Sequence, residues 1–134
     1  MAVRNVSVLA LYNDHKEILL QHRSKDAPRL PDYWGFFGGG IEREETPDQA
    51  LAREIHEELE YKVRSPQLIF IQKFTHEHEE NTKYVFIEKY NSANPLVQHE
   101  GQDMRWWKFD DLSTLLIVEH DRIALTKIQT YLHT

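Results

Sequence analysis

From Val3 to Tyr12 the chain is rich in strand formers, with Val3, Val6, Val8, Leu9, Leu11 and Tyr12 apolar or aromatic, so a β-strand is predicted there. Asn13-Asp14-His15-Lys16 is a polar break, and Ile18-Leu19-Leu20 resumes the apolar pattern, which reads as a hairpin. Ser24 to Asp32 carries Pro28 and Pro31 among charges and predicts a loop, while Tyr33 to Phe37 predicts a short strand ending at Gly38-Gly39-Gly40. Thr46 can cap a helix and Pro47 suits its first position, so a helix is expected to run to about Leu59, with Leu51, Ile55 and Leu59 as its core-facing stripe. Leu68 to Phe74 and Tyr84 to Tyr90 read as strands joined across the polar stretch His76 to Lys83. Arg105 to Phe109 reads as a further short strand, Asp110-Asp111-Leu112 as a turn or brief helix, and Asp121 to Leu132 as a helix through Ile123, Leu125, Ile128 and Leu132. Strands interrupted by two helices predict an α/β (α+β) architecture with a sheet packed between helices.

Composition narrows this picture. The 134 residues suit one domain spanning 1–134, and the absence of repeats, low-complexity tracts and linkers agrees with that. Hydrophobic residues make up 40% and charged residues 28%, the profile of a globular chain. A formal charge of -6 argues against binding duplex nucleic acid, which needs a basic stripe, yet leaves room for a small phosphate-bearing ligand whose metal ion inverts the local sign. With no cysteine, thiolate catalysis, disulfides and Cys-ligated zinc are excluded. Met1 to Leu11 alternates too much for a signal peptide and no long apolar run follows, so a cytoplasmic protein without membrane partners is expected. Monomer and homodimer both remain open.

The chemistry concentrates on the first helix. Glu54, Glu57 and Glu58 stand at i, i+3 and i+4, so their carboxylates are expected on one face. Such like-charge pairs cost roughly 0.2–0.5 kcal/mol each and call for a positive partner. Arg53 can pair with Glu57 but cannot alone neutralise Glu54, Glu57, Glu58 and Glu45. A hard divalent cation can, because magnesium prefers carboxylate oxygens and bridges to phosphates. Taken alone, an acidic helix of this kind is usually a solvated face, and glycines most often mark a turn.

Read together from Gly39, five residues lead to Glu45, seven more to Arg53-Glu54-Ile55, and after His56 come Glu57-Glu58-Leu59. This strongly resembles the G-x5-E-x7-R-E-U-x-E-E-x-G-U box of the Nudix hydrolases, where U is a bulky aliphatic residue. Glu60 stands where the family has its final glycine, Tyr61 replaces the aliphatic residue after it, and Phe37 stands where many members have proline. If that glycine closes the helix in a left-handed conformation, Glu60 costs roughly 1–2 kcal/mol there.

The resemblance implies an α/β/α sandwich with a mixed sheet between helices, Mg2+ as cofactor with Mn2+ able to substitute, and a small nucleotide as substrate. It makes Glu57 and Glu58 metal ligands, the Gly38 carbonyl an additional one, and Glu54 either a ligand or the base that activates water. Glu45 and Arg53 would brace the loop against the helix. Glu100, in Glu100-Gly101-Gln102 before Trp106 and Trp107, is either a further ligand or base, as in MutT-type enzymes, or a surface acid. Arg23 either reaches a phosphate or ends its strand in solvent, and Tyr33, Trp34 and Phe36 either contact a base or are core aromatics, with Phe36, facing away from Phe37, the preferred pocket wall. His120 and Asp121 lie where MutT-like enzymes contact a purine edge, and Asp121 equally suits a helix cap. His76, His78 and His120 lack a nearby third ligand, which sets zinc aside.

The activity implied is hydrolysis of a nucleoside triphosphate, oxidised and otherwise nonstandard forms such as 8-oxo-dGTP included, to monophosphate and pyrophosphate. The alternatives are another nucleoside diphosphate derivative (a sugar nucleotide, a capped RNA or a dinucleoside polyphosphate) and a non-catalytic nucleotide-sensing domain.

Overall fold

The computed structural model describes residues 2–133, so Met1 and Thr134, at the ends of the domain and N-terminal readings above, lie outside it. The elements in chain order are β1 (Ala2–Tyr12), β2 (Ile18–His22), β3 (Trp34–Gly35), β4 (Phe37–Gly40), α1 (Pro47–Leu59), β5 (Gln67–His76), β6 (Glu79–Lys89), β7 (Asp103–Trp107), a 3-10 segment Phe109–Thr114 and α2 (Glu119–Leu132). No helix among the described residues is long and apolar enough to cross a membrane.

The sheet is mixed. β1 runs parallel to β6 along its whole length, from Ala2 opposite Glu79 to Tyr12 opposite Lys89. β6 pairs antiparallel with β5, and β4 pairs antiparallel with β1. The β1–β2 hairpin is paired at Tyr12 and Ile18, after which β2 diverges to pair with β3 and β7.

Alternation along the central strands sorts the core into two layers. Leu9 and Leu11 of β1, Leu19 of β2 and Phe86 of β6 pack with Leu51, Ile55 and Leu59 of α1. Ala10, Ile18, Leu20, Val85 and Ile87 face the other way and pack with Ala124, Leu125 and Ile128 of α2. The sheet is thus held between two helices, as the sequence predicted.

Several boundaries differ from the sequence reading. The strand expected over Tyr33 to Phe37 is broken at Phe36, because β3 pairs with β2 and β4 with β1. The three glycines lie in β4 rather than in a turn, opposite Val8, Ser7 and Val6. The polar stretch His76 to Lys83 is mostly strand, reversed at Glu77 and His78, whose positive φ of 48 and 64 makes a tight hairpin turn. Phe109 opens the 3-10 segment instead of closing β7, and α2 begins at Glu119 with Val118 as its N-cap. Asp121 is therefore inside the first turn and not the cap.

Helix α1 begins as expected. Thr46 and Gln49 form a reciprocal capping box, and Pro47 occupies the first turn. It ends at Glu60 in the left-handed conformation, φ 52 and ψ 27, and Tyr61 beyond it is fully buried.

Candidate active site

Strand β4 and helix α1 are laid side by side by their shared packing beneath β1, and this brings the glycines against the acidic helix. Arg53 is the organising cation. Its Nε and Nη2 donate to the two oxygens of Glu45 at 2.8 and 2.9 Å, its Nη1 donates to Glu54 at 2.8 Å, and Nη2 also donates to the Gly40 carbonyl at 3.0 Å. Glu57 lies 3.6 Å from the same guanidinium. The Arg53 fork, together with the Glu42 N–H, holds the Glu45 carboxyl down at about 2.

The three carboxylates at the i, i+3 and i+4 positions of α1 do not share one environment. Glu57 is exposed, Glu54 is half-buried, and Glu58 is only 4% exposed. A helix face about 100° wide straddles the boundary between solvent and β4, so neighbouring positions part company. Glu58 turns inward and accepts the Gly38 N–H at 2.9 Å. Burial, then the nearby Glu100 carboxyl, push Glu58 up to about 11, with Glu54 adding to the rise.

Glu54, Glu58, Glu100 and Gly38 to Gly40 line one cavity of about 490 Å³, which Arg4, Arg23 and Arg29 also line. No group of three His, Asp or Glu side chains among the described residues already encircles a single cation. The donor set nevertheless fits magnesium, which takes one or two carboxylates and completes its shell with water and substrate phosphates. Glu58, raised by burial and then by the neighbouring carboxyls of Glu100 and Glu54, is the carboxylate a divalent ion would relieve.

A second cavity of about 470 Å³ adjoins the first, sharing Arg4, Arg23, Arg29, Gly38 and Gly39 with it. Its far wall holds Phe36, Phe74, Lys83, His120 and Asp121. Phe36 does face away from Phe37, which packs under α1. His120 stacks on Phe74 at 3.9 Å between ring centroids. Lys83, 2% exposed, donates to Asp121 at 2.5 Å and bonds the His120 Nδ1 at 2.8 Å. Burial lowers Lys83, while for Asp121 burial is outweighed by the neighbouring His120 and the charge of Lys83, which hold it down.

Sequence reading missed Lys83, Phe74, Arg4 and Arg29. Lys83 was legible in principle, since Asn81, Lys83, Val85 and Ile87 alternate inward along β6. Arg4 shares the period of Val6 and Val8, which line the same cavity. Arg29 lies in an irregular loop and is fixed by a bidentate pair to Glu79, 50 positions away, which no local signal announces. Arg23 is at the junction of the cavities, its Nε donating to the Arg29 carbonyl at 2.8 Å.

A family model described as NUDIX domain matches residues 1–127. Diphosphoinositol polyphosphate phosphohydrolase 3-alpha of Mus musculus is 31% identical over 107 residues, and the match covers 75% of this chain and 60% of that relative's length. Nucleoside triphosphatase NudI of Enterobacter sp. (strain 638) is 28% identical over 131 residues, covering 90% of this chain and 93% of the relative. The crystal structure of a MutT protein from Methanosarcina mazei Go1 superposes with a TM-score of 0.86 at 18% identity, covering 99% of this chain and 97% of that one, which bears on the fold alone.

Proposed function

The chain belongs to the NUDIX domain family, and from that premise we propose that it is a magnesium-dependent pyrophosphohydrolase converting a nucleoside triphosphate to monophosphate and pyrophosphate. The observation that carries the reading is the adjacency of two cavities, one lined by Glu54, Glu58 and Glu100 and the other by Phe36, Phe74, His120 and Asp121, with Arg4, Arg23 and Arg29 common to both. A planar base suits the aromatic end, and a polyphosphate suits the arginines and the carboxylates beyond them. The relative named as a nucleoside triphosphatase supports this substrate class.

In this reading Glu57, Glu58, Glu100 and the Gly38 carbonyl would hold the metal, with Glu54 as a further ligand or as the base. Bound there, a divalent cation screens phosphate charge and lowers the pKa of water. Glu54 takes the proton of the attacking water as its oxygen bonds to phosphorus and the anhydride P–O bond breaks, the charge passing to the departing phosphate. Arg53 keeps Glu54 and Glu45 in register, and the arginines at the cavity junction orient the chain of phosphates. The substrate is free nucleotide in the cytoplasm rather than duplex nucleic acid or a membrane.

A second reading, a more densely phosphorylated anion, is favoured by the same arginine cluster and by the relative named as a diphosphoinositol polyphosphate phosphohydrolase. A panel of nucleoside triphosphates, nucleotide sugars, dinucleoside polyphosphates and diphosphoinositol polyphosphates, each with Mg2+ or Mn2+, separates the two by which substrate turns over and which product is released. Glu54→Gln is expected to lower kcat by roughly 10²–10⁴-fold with the fold intact, as a lost general base does. Near-normal turnover in that variant would remove the catalytic assignment.

A further inference from the structure

The last turn of a helix leaves carbonyls unpaired. At the end of α1 the carbonyls of Glu58 and Leu59 accept the N–H groups of His99 at 2.7 Å and Val97 at 2.9 Å. The segment that carries Glu100 is thereby laid across the end of the acidic helix. Beyond Glu100, the chain is fixed to β2 by the Gln102 N–H, which donates to the His22 carbonyl at 2.8 Å. Gly101, at φ +85, has no room for a Cβ, which would come within 2.8 Å of the same His22 carbonyl.

Glu100 is therefore suspended between two anchors, and it lines the same cavity as Glu58. Where Glu100 points therefore depends on how this short segment is held at its two ends. Backbone bonds set the register on the α1 side. One side-chain contact closes it: Glu60 accepts a hydrogen bond from Nε2 of His99, the residue before Glu100. Glu60 makes this contact from a left-handed backbone, where glycine would be relaxed but would have no side chain to offer.

We propose that Glu60 is a positioning residue which, by clasping His99, holds Glu100 against Glu58; this rests on the hydrolase reading above. Each partner's side chain is 51% exposed, so the pair adds little to stability and its effect lies in where Glu100 points.

The test compares the full chain with Glu60→Gly, Glu60→Gln, Glu100→Gln and the Glu60→Gly/Glu100→Gln double variant. Glu60→Gly is expected to raise Tm, because strain is released, while lowering kcat and raising the Mg2+ concentration for half-maximal activity by roughly tenfold. Glu60→Gln keeps an acceptor oxygen for His99 and is expected to recover most of the activity. In the Glu100→Gln background Glu60→Gly is expected to add no further loss, since residues acting through one another are non-additive. Unchanged kcat and Mg2+ requirement in Glu60→Gly overturn the proposal, as does an equal loss with and without Glu100. Amide hydrogen exchange over residues 98–101 separates the two levels. Faster exchange in Glu60→Gly, with wild type inactive on every phosphoanhydride, upholds the clasp and sinks the hydrolase reading, whereas unchanged exchange overturns the clasp.

Discussion

Arg53 holds Glu45 with a two-point fork, 2.8 Å from Nε and 2.9 Å from Nη2, across the loop that joins β4 to α1. The same guanidinium reaches Glu54, so loop and helix are locked through one planar group that lysine cannot imitate. Arg53→Lys is expected to lower kcat by roughly 10- to 100-fold, as loss of a ligand-orienting partner does, with a smaller change in KM. Steady-state kinetics under saturating Mg2+ decide it.

The fork also sets an acid signature. Glu45 is held down at about 2 from an ordinary 4.5, so its contribution to stability is complete above 4.5 and is lost as pH falls through about 2. The difference in Tm between wild type and Glu45→Gln should be constant above that window and shrink within it. A difference that grows on acidification would contradict the assignment.

Glu58 gives the opposite slope. Its folded value is raised to about 11, so in metal-free protein the folded state keeps a proton that the unfolded state gives up near 4.5. Stability from this group is full below 4.5 and declines as pH rises through about 11. In chelator, the Tm of wild type should fall with rising pH more steeply than that of Glu58→Gln. Mg2+ binding near neutral pH should release a proton, visible in calorimetry as a heat that varies with the buffer's ionisation enthalpy.

Neighbouring glycines should respond differently to the same added methyl. A Cβ on Gly38, at φ +140, would lie 2.2 Å from the Ser7 carbonyl oxygen, so Gly38→Ala is expected to cost roughly 1–3 kcal/mol or more in urea unfolding. A Cβ on Gly39 would lie 2.5 Å from a carboxylate oxygen of Glu54, a movable group. Gly39→Ala should therefore leave stability nearly unchanged and depress kcat by displacing Glu54.

Lys83 and Asp121 form a buried pair, and removing one charge strands the other. Lys83→Met is expected to destabilise by roughly 3–5 kcal/mol, and Lys83→Met with Asp121→Asn by much less. Denaturant titration of both variants checks the coupling, and equal losses would show that the two side chains act independently.

Periodicity and capping chemistry are local properties, and they carried far. Thr46-Pro47 marked the start of α1, the Leu51, Ile55 and Leu59 stripe marked its buried side, and the misfit of Glu60 marked its left-handed end. What failed was whatever depended on partners distant in sequence. Phe36 breaks one apparent strand into two because its flanks pair with β2 and β1, and His76 to Lys83 looks like a loop until β5 and β6 are folded against each other.

The order of residues along the chain alone determined which chemistry is available: the spacing from Gly39 through Glu45 and Arg53 to Glu58 puts acids and a guanidinium on one short segment. Only the tertiary structure decided how they are used, sending Glu57 to solvent and Glu58 inward, bringing Glu100 into the same cavity, and setting Lys83 beside Asp121. The physical reason is that a carboxylate's burial and neighbours, and hence its charge, depend on strands and loops packed across it from dozens of residues away, which no local pattern encodes.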